Sequence, residues 1–451
     1  MSEQFWCEHA WLGGVDVQAD VVVTTVDGMI TAVESGTPRP AGSTALTGLV
    51  IPGMANAHSH AFHRLLRART QIGRGSFWTW RDLMYRVADR LTPELYEQVC
   101  TAVYAEMTLA GITAVGEFHY LHHDRGGRSY AEPNAMGLAV AAGAATAGLR
   151  LTLLDTCYLT ASVDGAALTG PQLRFSDGTA DRWSERADHL HRELAGNDVV
   201  VGAAVHSVRA VPADQLATVA DWARRHDAPL HVHSSEQTGE IEQTLAVHGC
   251  TPTRLMRDHG VLGPRTTAVH ATHLTDEDIA DLDATDTGVC FCPTTERDLG
   301  DGLGPATELL THERRVFSLG SDSHAVIDLL EEARAVELDE RLRRRERGLV
   351  PAARLLGAAT VDGHRALGRP TGGRIAVNAP ADLVALDLRS VRTAGGGPTV
   401  ENAVFAAGAA DVTDVIVGGR EIVRARRHLT VPDVTDRLAT LADQLVEGDA
   451  R

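Results

Sequence analysis

The 451-residue chain contains no lysine; all 42 of its basic residues are arginine. Without a lysine amine there is no Schiff base to pyridoxal phosphate, no Walker-A phosphate loop and no carbamylated-lysine bridge between two metals. Cysteine is sparse: six residues are spread through the chain, and no small disulfide framework is visible. Positive charge is in deficit. Sixty acidic residues give a formal charge of −18, which argues against nucleic-acid binding. Long apolar runs are missing too. The uncharged segment 133–149 is mostly Ala and Gly, too short and too weakly apolar for a membrane span, and reads as a helix packed through small residues. The opening residues have neither the basic nor the apolar region of a secretion signal. These absences predict a cytoplasmic protein with neither a membrane nor a nucleic acid as partner. Hydrophobic residues at 44% and charged residues at 23% are ordinary globular composition and exclude disorder.

The first fifty residues read as short strands, with a hairpin turn at Asp27-Gly28. The far end has the same texture: 374–377, 382–387, 403–406 and 412–423 are β-rich runs, and Gly418-Gly419 supplies another turn. Between them, apolar strand candidates alternate with helical stretches. The candidates are 49–57, 111–118, 150–157, 199–206, 229–233, 266–270, 288–292 and 315–321. Eight strands in β-α alternation predict a (β/α)8 TIM-like barrel. The expected division is a β-sandwich from residues 1–50 and 368–430, a barrel over 51–367 and a C-terminal helix over 431–451.

The chain has 21 His. Those at 189, 191, 226, 248, 259, 312, 364 and 428 lie in helical or loop stretches with no partner pattern and read as structural. His58 and His60 differ. They form His-Ser-His at the end of an apolar strand, where alternate residues share a face, and two such imidazoles make a metal-chelating pair. Three further strand ends carry matching groups: His233 with Glu236, His270 with His273, and Asp322 with His324. In a barrel the strand C-termini form the active-site rim. Cys290 and Cys292 do not complete a structural metal site and read as small buried hydrophobes.

His-x-His on the first strand, His on the fifth and sixth and Asp on the eighth resemble the amidohydrolase superfamily. His233-x-x-Glu236 without a bridging lysine resembles its mononuclear deaminases. More narrowly, Asn56-Ala57-His58-Ser59-His60-Ala61-Phe62, Gly116-Glu117-Phe118-His119-Tyr120, His206-Ser207-Val208-Arg209 and Thr295-Glu296 with Leu299-Gly300-Asp301-Gly302 resemble the formimidoylglutamate deiminases. His63 stands where that family leads one to expect Gln.

The resemblance implies one Zn²⁺ per subunit, with Fe²⁺ the alternative, held by His58, His60, His233 and Asp322. It implies hydrolysis of N-formimidoyl-L-glutamate to N-formyl-L-glutamate and ammonia in histidine degradation. Asp322 is expected to accept the water's proton, Glu236 to carry a proton to the leaving nitrogen, and His270 to hydrogen-bond the reacting oxygen. The substrate is a small dicarboxylate amidine, with Arg81, Tyr120, His206, Arg209 and His63 as its expected binding residues. An arginine can grip a carboxylate through two parallel hydrogen bonds. A homodimer is also implied. The alternatives are a mononuclear deaminase of a purine- or pyrimidine-like amine and a metal-binding barrel without catalysis.

Overall fold

In the computed structural model, residues 2–71, 77–312 and 315–447 are described. Their strands fall into two eight-stranded sheets. The chain begins with β1 (Ser2–Trp11), β2 (Val17–Val26), β3 (Met29–Glu34) and β4 (Thr44–Pro52). The barrel strands follow: β5 (Met54–Ser59), β6 (Ile112–His119), β7 (Arg150–Cys157), β8 (Val199–Val205), β9 (Leu230–Ser234), β10 (Thr266–His270), β11 (Gly288–Phe291) and β12 (Phe317–Leu319). The chain then returns to the first sheet with β13 (Leu383–Leu386), β14 (Val412–Val417), β15 (Arg420–Arg424) and β16 (Arg427–His428).

β5 to β12 pair in parallel in strict chain order. Helices cover the outer face, so the strands are buried on both sides and read as near-continuous apolar runs. A bridge between Ser59 and Asp322 brings the two edges together. The helix Pro93–Leu109 starts with Pro93 at its first position, and Thr92 accepts from the Leu95 N–H. It packs against Ala135–Ala147, the Ala/Gly helix expected from the sequence. Their contact needs Gly143, since a Cβ there would stand 2.6 Å from Cys100 Cβ.

The first sheet runs β16-β15-β14-β13-β4-β1-β2-β3, so strands from both termini build one unit. All its pairings are antiparallel except β1 with β4. The sheet curls over its own core of Phe5, Val21, Ile30, Leu46, Val50, Leu383 and Ile416. Ile30 N–H donates to Ala379 O and Ala381 N–H to Gly28 O, each at 2.9 Å, tying its far edge to the segment before β13.

Three expectations are corrected. The run expected over 49–57 is two strands. β4 belongs to the terminal sheet and β5 to the barrel, and Gly53 joins them where a Cβ would lie 2.2 Å from Thr113 Oγ1. Pro52-Gly53 marks the break locally, but which sheet each half joins is set by tertiary pairing. Residues 403–406 lie mostly in the helix Val400–Phe405, started by a Thr399 cap, rather than in a strand. Residues 374–377 form no strand; Ile375 is buried as an apolar plug in the core of the terminal sheet. Near the C-terminus, helical turns cover Val434–Ala442 and Asp443–Glu447, and residues 448–451 lie outside the described residues. Among the described residues no helix is long and apolar enough to cross a membrane.

Candidate active site and metal centre

The C-terminal ends of the barrel strands, and the segments that follow them, surround one cavity enclosing about 620 Å³ of empty space with its mouth. His58 is the last residue but one of β5, and His60 follows the strand's end. His233 is the last residue but one of β9, His270 ends β10, and Asp322 comes three residues after β12. All five are buried.

These side chains converge. His58 Nε2 lies 3.1 Å from His233 Nε2. Asp322 Oδ1 lies 3.2 Å from His58 Nε2 and 3.4 Å from His60 Nε2. His60 Nδ1 is 3.0 Å from Phe118 O, and His233 Nδ1 is 2.9 Å from His206 O. A carbonyl oxygen can only accept, so both Nδ1 atoms carry the proton and both Nε2 atoms present a lone pair to the cluster. Burial holds His60 neutral, down at about 3, and pushes His233 and His58 below the usual imidazole range. Burial alone would raise Asp322, but the His58 hydrogen bond and the charge of protonated His270 hold it well below the usual carboxylate range. Lone pairs and a carboxylate gathered within hydrogen-bond distance fit a cation and little else. His58, His60 and His233 form one such group, and His58, His270 and Asp322 an overlapping one.

Glu236 and His270 stand beside the cluster. His270 Nε2 is 3.9 Å from Glu236 Oε1 and 3.9 Å from Asp322 Oδ2. Burial disfavours charge on His270, but Glu236, Glu296 and Asp322 together hold it protonated, well above the usual range. Burial pushes the Glu236 carboxyl up, against the pull of His270.

The expected binding residues line the same cavity. His63 sits in the turn Ala61–Leu66, and its Nε2 is 2.8 Å from the Tyr120 hydroxyl. Tyr120 follows β6, and His206 and Arg209 follow β8. Arg81 lies in the helix Phe77–Arg90, its guanidinium carbon 5.6 Å from the centre of the Tyr85 ring. Arg209 Nε is 3.9 Å from Glu240 Oε2, too far for a direct hydrogen bond. Burial pushes Glu240 up to about 7 and His206 well below the imidazole range.

Several residues were given no role by the sequence. Glu117 accepts from Ser59 Oγ and from Ala61 N–H, both at 2.7 Å, and so braces the segment carrying His58 and His60. Asn56 Oδ1 accepts from Ser321 N–H at 2.9 Å, beside Asp322. Tyr158, one residue past β7, packs its ring 4.4 Å from that of His206. Glu296 lies 3.3 Å from His270 Nδ1. The strand-end rule that picked out His233 would have found Tyr158; the buried braces carry no sequence signal beyond their polarity. Five non-glycine residues at this rim, Ser235, His270, Ala271, Asp322 and His324, have positive φ, a concentration of backbone strain typical of functional sites.

A closed parallel barrel with imidazoles and a carboxylate meeting at its strand ends defines a metal-dependent hydrolase. The chain belongs to the amidohydrolase family, whose model matches residues 49–422. It is 38% identical to the formimidoylglutamate deiminase of Pseudomonas aeruginosa over 399 residues, 86% of this chain and 87% of that one. It is 29% identical to the 8-oxoguanine deaminase of the same organism, over 96% of each chain. The crystal structure of an amidohydrolase from Brucella melitensis superposes with a TM-score of 0.91 at 33% identity, covering 98% of this chain and 99% of that one.

Proposed function

We propose that the protein hydrolyses N-formimidoyl-L-glutamate to N-formyl-L-glutamate and ammonia, the deimination step of histidine degradation, with one Zn²⁺ in the His58, His60, His233 and Asp322 cluster. The observation that carries this reading is a single cavity lined at once by His60, His233 and Asp322 of the cluster, by Glu236 and His270, and by Arg209, Arg81, His63 and Tyr120. The identity to a formimidoylglutamate deiminase supports the substrate.

Nitrogen and carboxylate oxygen together suit zinc. His58, His60, His233 and Asp322, whose facing atoms lie 3.1, 3.2 and 3.4 Å apart, would hold the ion together. When bound, such an ion supplies Lewis acidity and lowers the pKa of water from 15.7 to about 7.

The chain's own groups do the rest. Asp322 Oδ1 faces the ligand imidazoles, which leaves Oδ2, on the His270 side, to take the proton of the attacking water. His270 Nε2–H donates to the oxygen that adds to the amidine carbon. Glu236, its carboxyl pushed up by burial, shuttles a proton to the departing nitrogen, and Asp322 returns the one it took. One C–O bond forms, one C–N bond breaks, and ammonia leaves. Arg209 and Arg81 grip the two carboxylates and fix the amidine carbon over the cluster.

The test is ammonia release from N-formimidoyl-L-glutamate beside a panel of heterocyclic amines. Turnover of the amidine and not of the heterocycles is expected. Release from the heterocycles alone would place the protein with the ring deaminases, to which the 8-oxoguanine deaminase belongs.

A further inference from the structure

Among the described residues, the nearest carboxylates to His270 Nε2, Glu236 and Asp322, both stand 3.9 Å away. Among the described residues, the one hydrogen bond its ring makes is from Nδ1 to Glu296 Oε1, at 3.3 Å. Glu296 is itself buried and fixed, because the same Oε1 accepts from Cys292 N–H at 2.8 Å.

Glu296 lies in the short helix Pro293–Leu299, whose start is held on both sides. Thr294 N–H donates to Glu332 Oε2 at 2.9 Å, anchoring it on the helix Leu329–Arg344. Thr295 Oγ1 accepts from Ser323 N–H at 3.2 Å and donates to Ser321 O at 3.3 Å, on either side of Asp322. This one short helix after β11 thus grips the segment of Asp322 with Thr295 and the ring of His270 with Glu296.

We propose that Glu296 is a positioning residue for His270, fixing the ring so that Nε2 faces the reacting centre between Glu236 and Asp322. The proposal rests on the deiminase reading only in giving His270 a part in catalysis. A carboxylate suits this role because it accepts from Nδ1 and cannot donate, which leaves one ring orientation and one function for Nε2. A merely structural Glu296 would contribute to folding and leave the chemical step alone.

The test compares Glu296→Ala and Glu296→Gln with the wild-type holoenzyme. Two readouts are used: steady-state kinetics, and NMR of ¹⁵N-histidine-labelled protein with the His270 signal assigned through a His270→Asn variant. Glu296→Ala is expected to lose the hydrogen-bonded Nδ1–H signal. It is expected to lower kcat by about 10–100-fold, the usual cost of losing an orienting partner, with KM little changed and metal content retained. Glu296→Gln keeps an acceptor oxygen at the same reach and recovers most of that loss. Should the alanine variant not fold, Glu296→Asp, whose shorter side chain withdraws from Nδ1, takes its place with the same expected outcome. An unaltered Nδ1–H signal, or a raised KM with kcat intact, overturns the proposal. If the wild-type enzyme releases no ammonia from N-formimidoyl-L-glutamate, the deiminase reading fails, and the NMR comparison still decides the positioning.

Discussion

Asp322 meets His58 twice. Its N–H donates to His58 O at 3.0 Å, and its Oδ1 lies 3.2 Å from His58 Nε2. His60 N–H returns a bond to Asp322 O at 3.2 Å. The seam between the first and last barrel strands therefore coincides with the seam between two of the proposed ligands, and closing the barrel brings them together.

Asp322→Ala should accordingly remove metal and activity together. Elemental analysis is expected to find most of the bound ion lost, and ammonia release should fall by at least the roughly 10²–10⁴-fold of a lost acid–base group. A variant that keeps both its ion and its turnover would contradict the assignment.

Arg209→Met should weaken substrate capture and spare the metal. A charge-assisted hydrogen bond is worth about 1.5–3 kcal/mol, so kcat/KM should drop by roughly 10–100-fold. The same preparation assayed for zinc should match wild type. Loss of the ion instead would mean that this arginine supports the cluster rather than the carboxylates.

Acid should destabilise the fold from a definite pH downward. Burial holds His122 and His364 neutral, each with a pKa of about 4, while their unfolded value is near 6.5. Above about pH 6.5 neither state is protonated and nothing is lost. Between about 6.5 and 4 the unfolded chain takes up protons that the folded one refuses, so each residue costs up to about 1.4 kcal/mol per pH unit. The ring Nε2 atoms face Thr156 O and Gly53 O, contacts that a glutamine amide can also make. Denaturant unfolding from pH 7.5 to 5 should therefore show a shallower decline in a His122→Gln/His364→Gln variant than in wild type. Equal slopes would show that other groups drive the acid loss.

Gly143→Val should destabilise without touching chemistry. The added Cβ would meet Cys100 Cβ at 2.6 Å and Thr101 N at 2.9 Å, where two barrel helices are in closest contact. Overpacking of this kind costs about 1–3 kcal/mol, read as a lower melting temperature with kcat unchanged in the folded fraction. An unchanged melting temperature would mean that the helices separate freely.

Much of this was legible in the residues themselves. Period-two pairing put His58 and His60 on one face, and the strand-end rule drew His233, His270 and Asp322 to the same rim. The strands over 150–157 and 266–270 have the very bounds expected. The features that were not legible depended on tertiary context. Pro52-Gly53 breaks the run between β4 and β5, but nothing local tells that the two halves pair in different sheets. The residues 403–406 carry strand-like apolar side chains, yet a Thr399 cap and packing against the helix Leu329–Arg344 make them helical. Glu117 and Glu296 read as ordinary acids until the barrel buries them against Ser59 and His270.

On the proposed reading, one cation held by His58, His60, His233 and Asp322 makes this barrel a hydrolase. Stripping the protein with a chelator and titrating Zn²⁺ back, while following ammonia release from N-formimidoyl-L-glutamate, tests it most directly. The stripped protein is predicted to show no turnover, and activity to rise and saturate at one ion per chain. Full turnover without metal, or saturation only at a second equivalent, would contradict that claim.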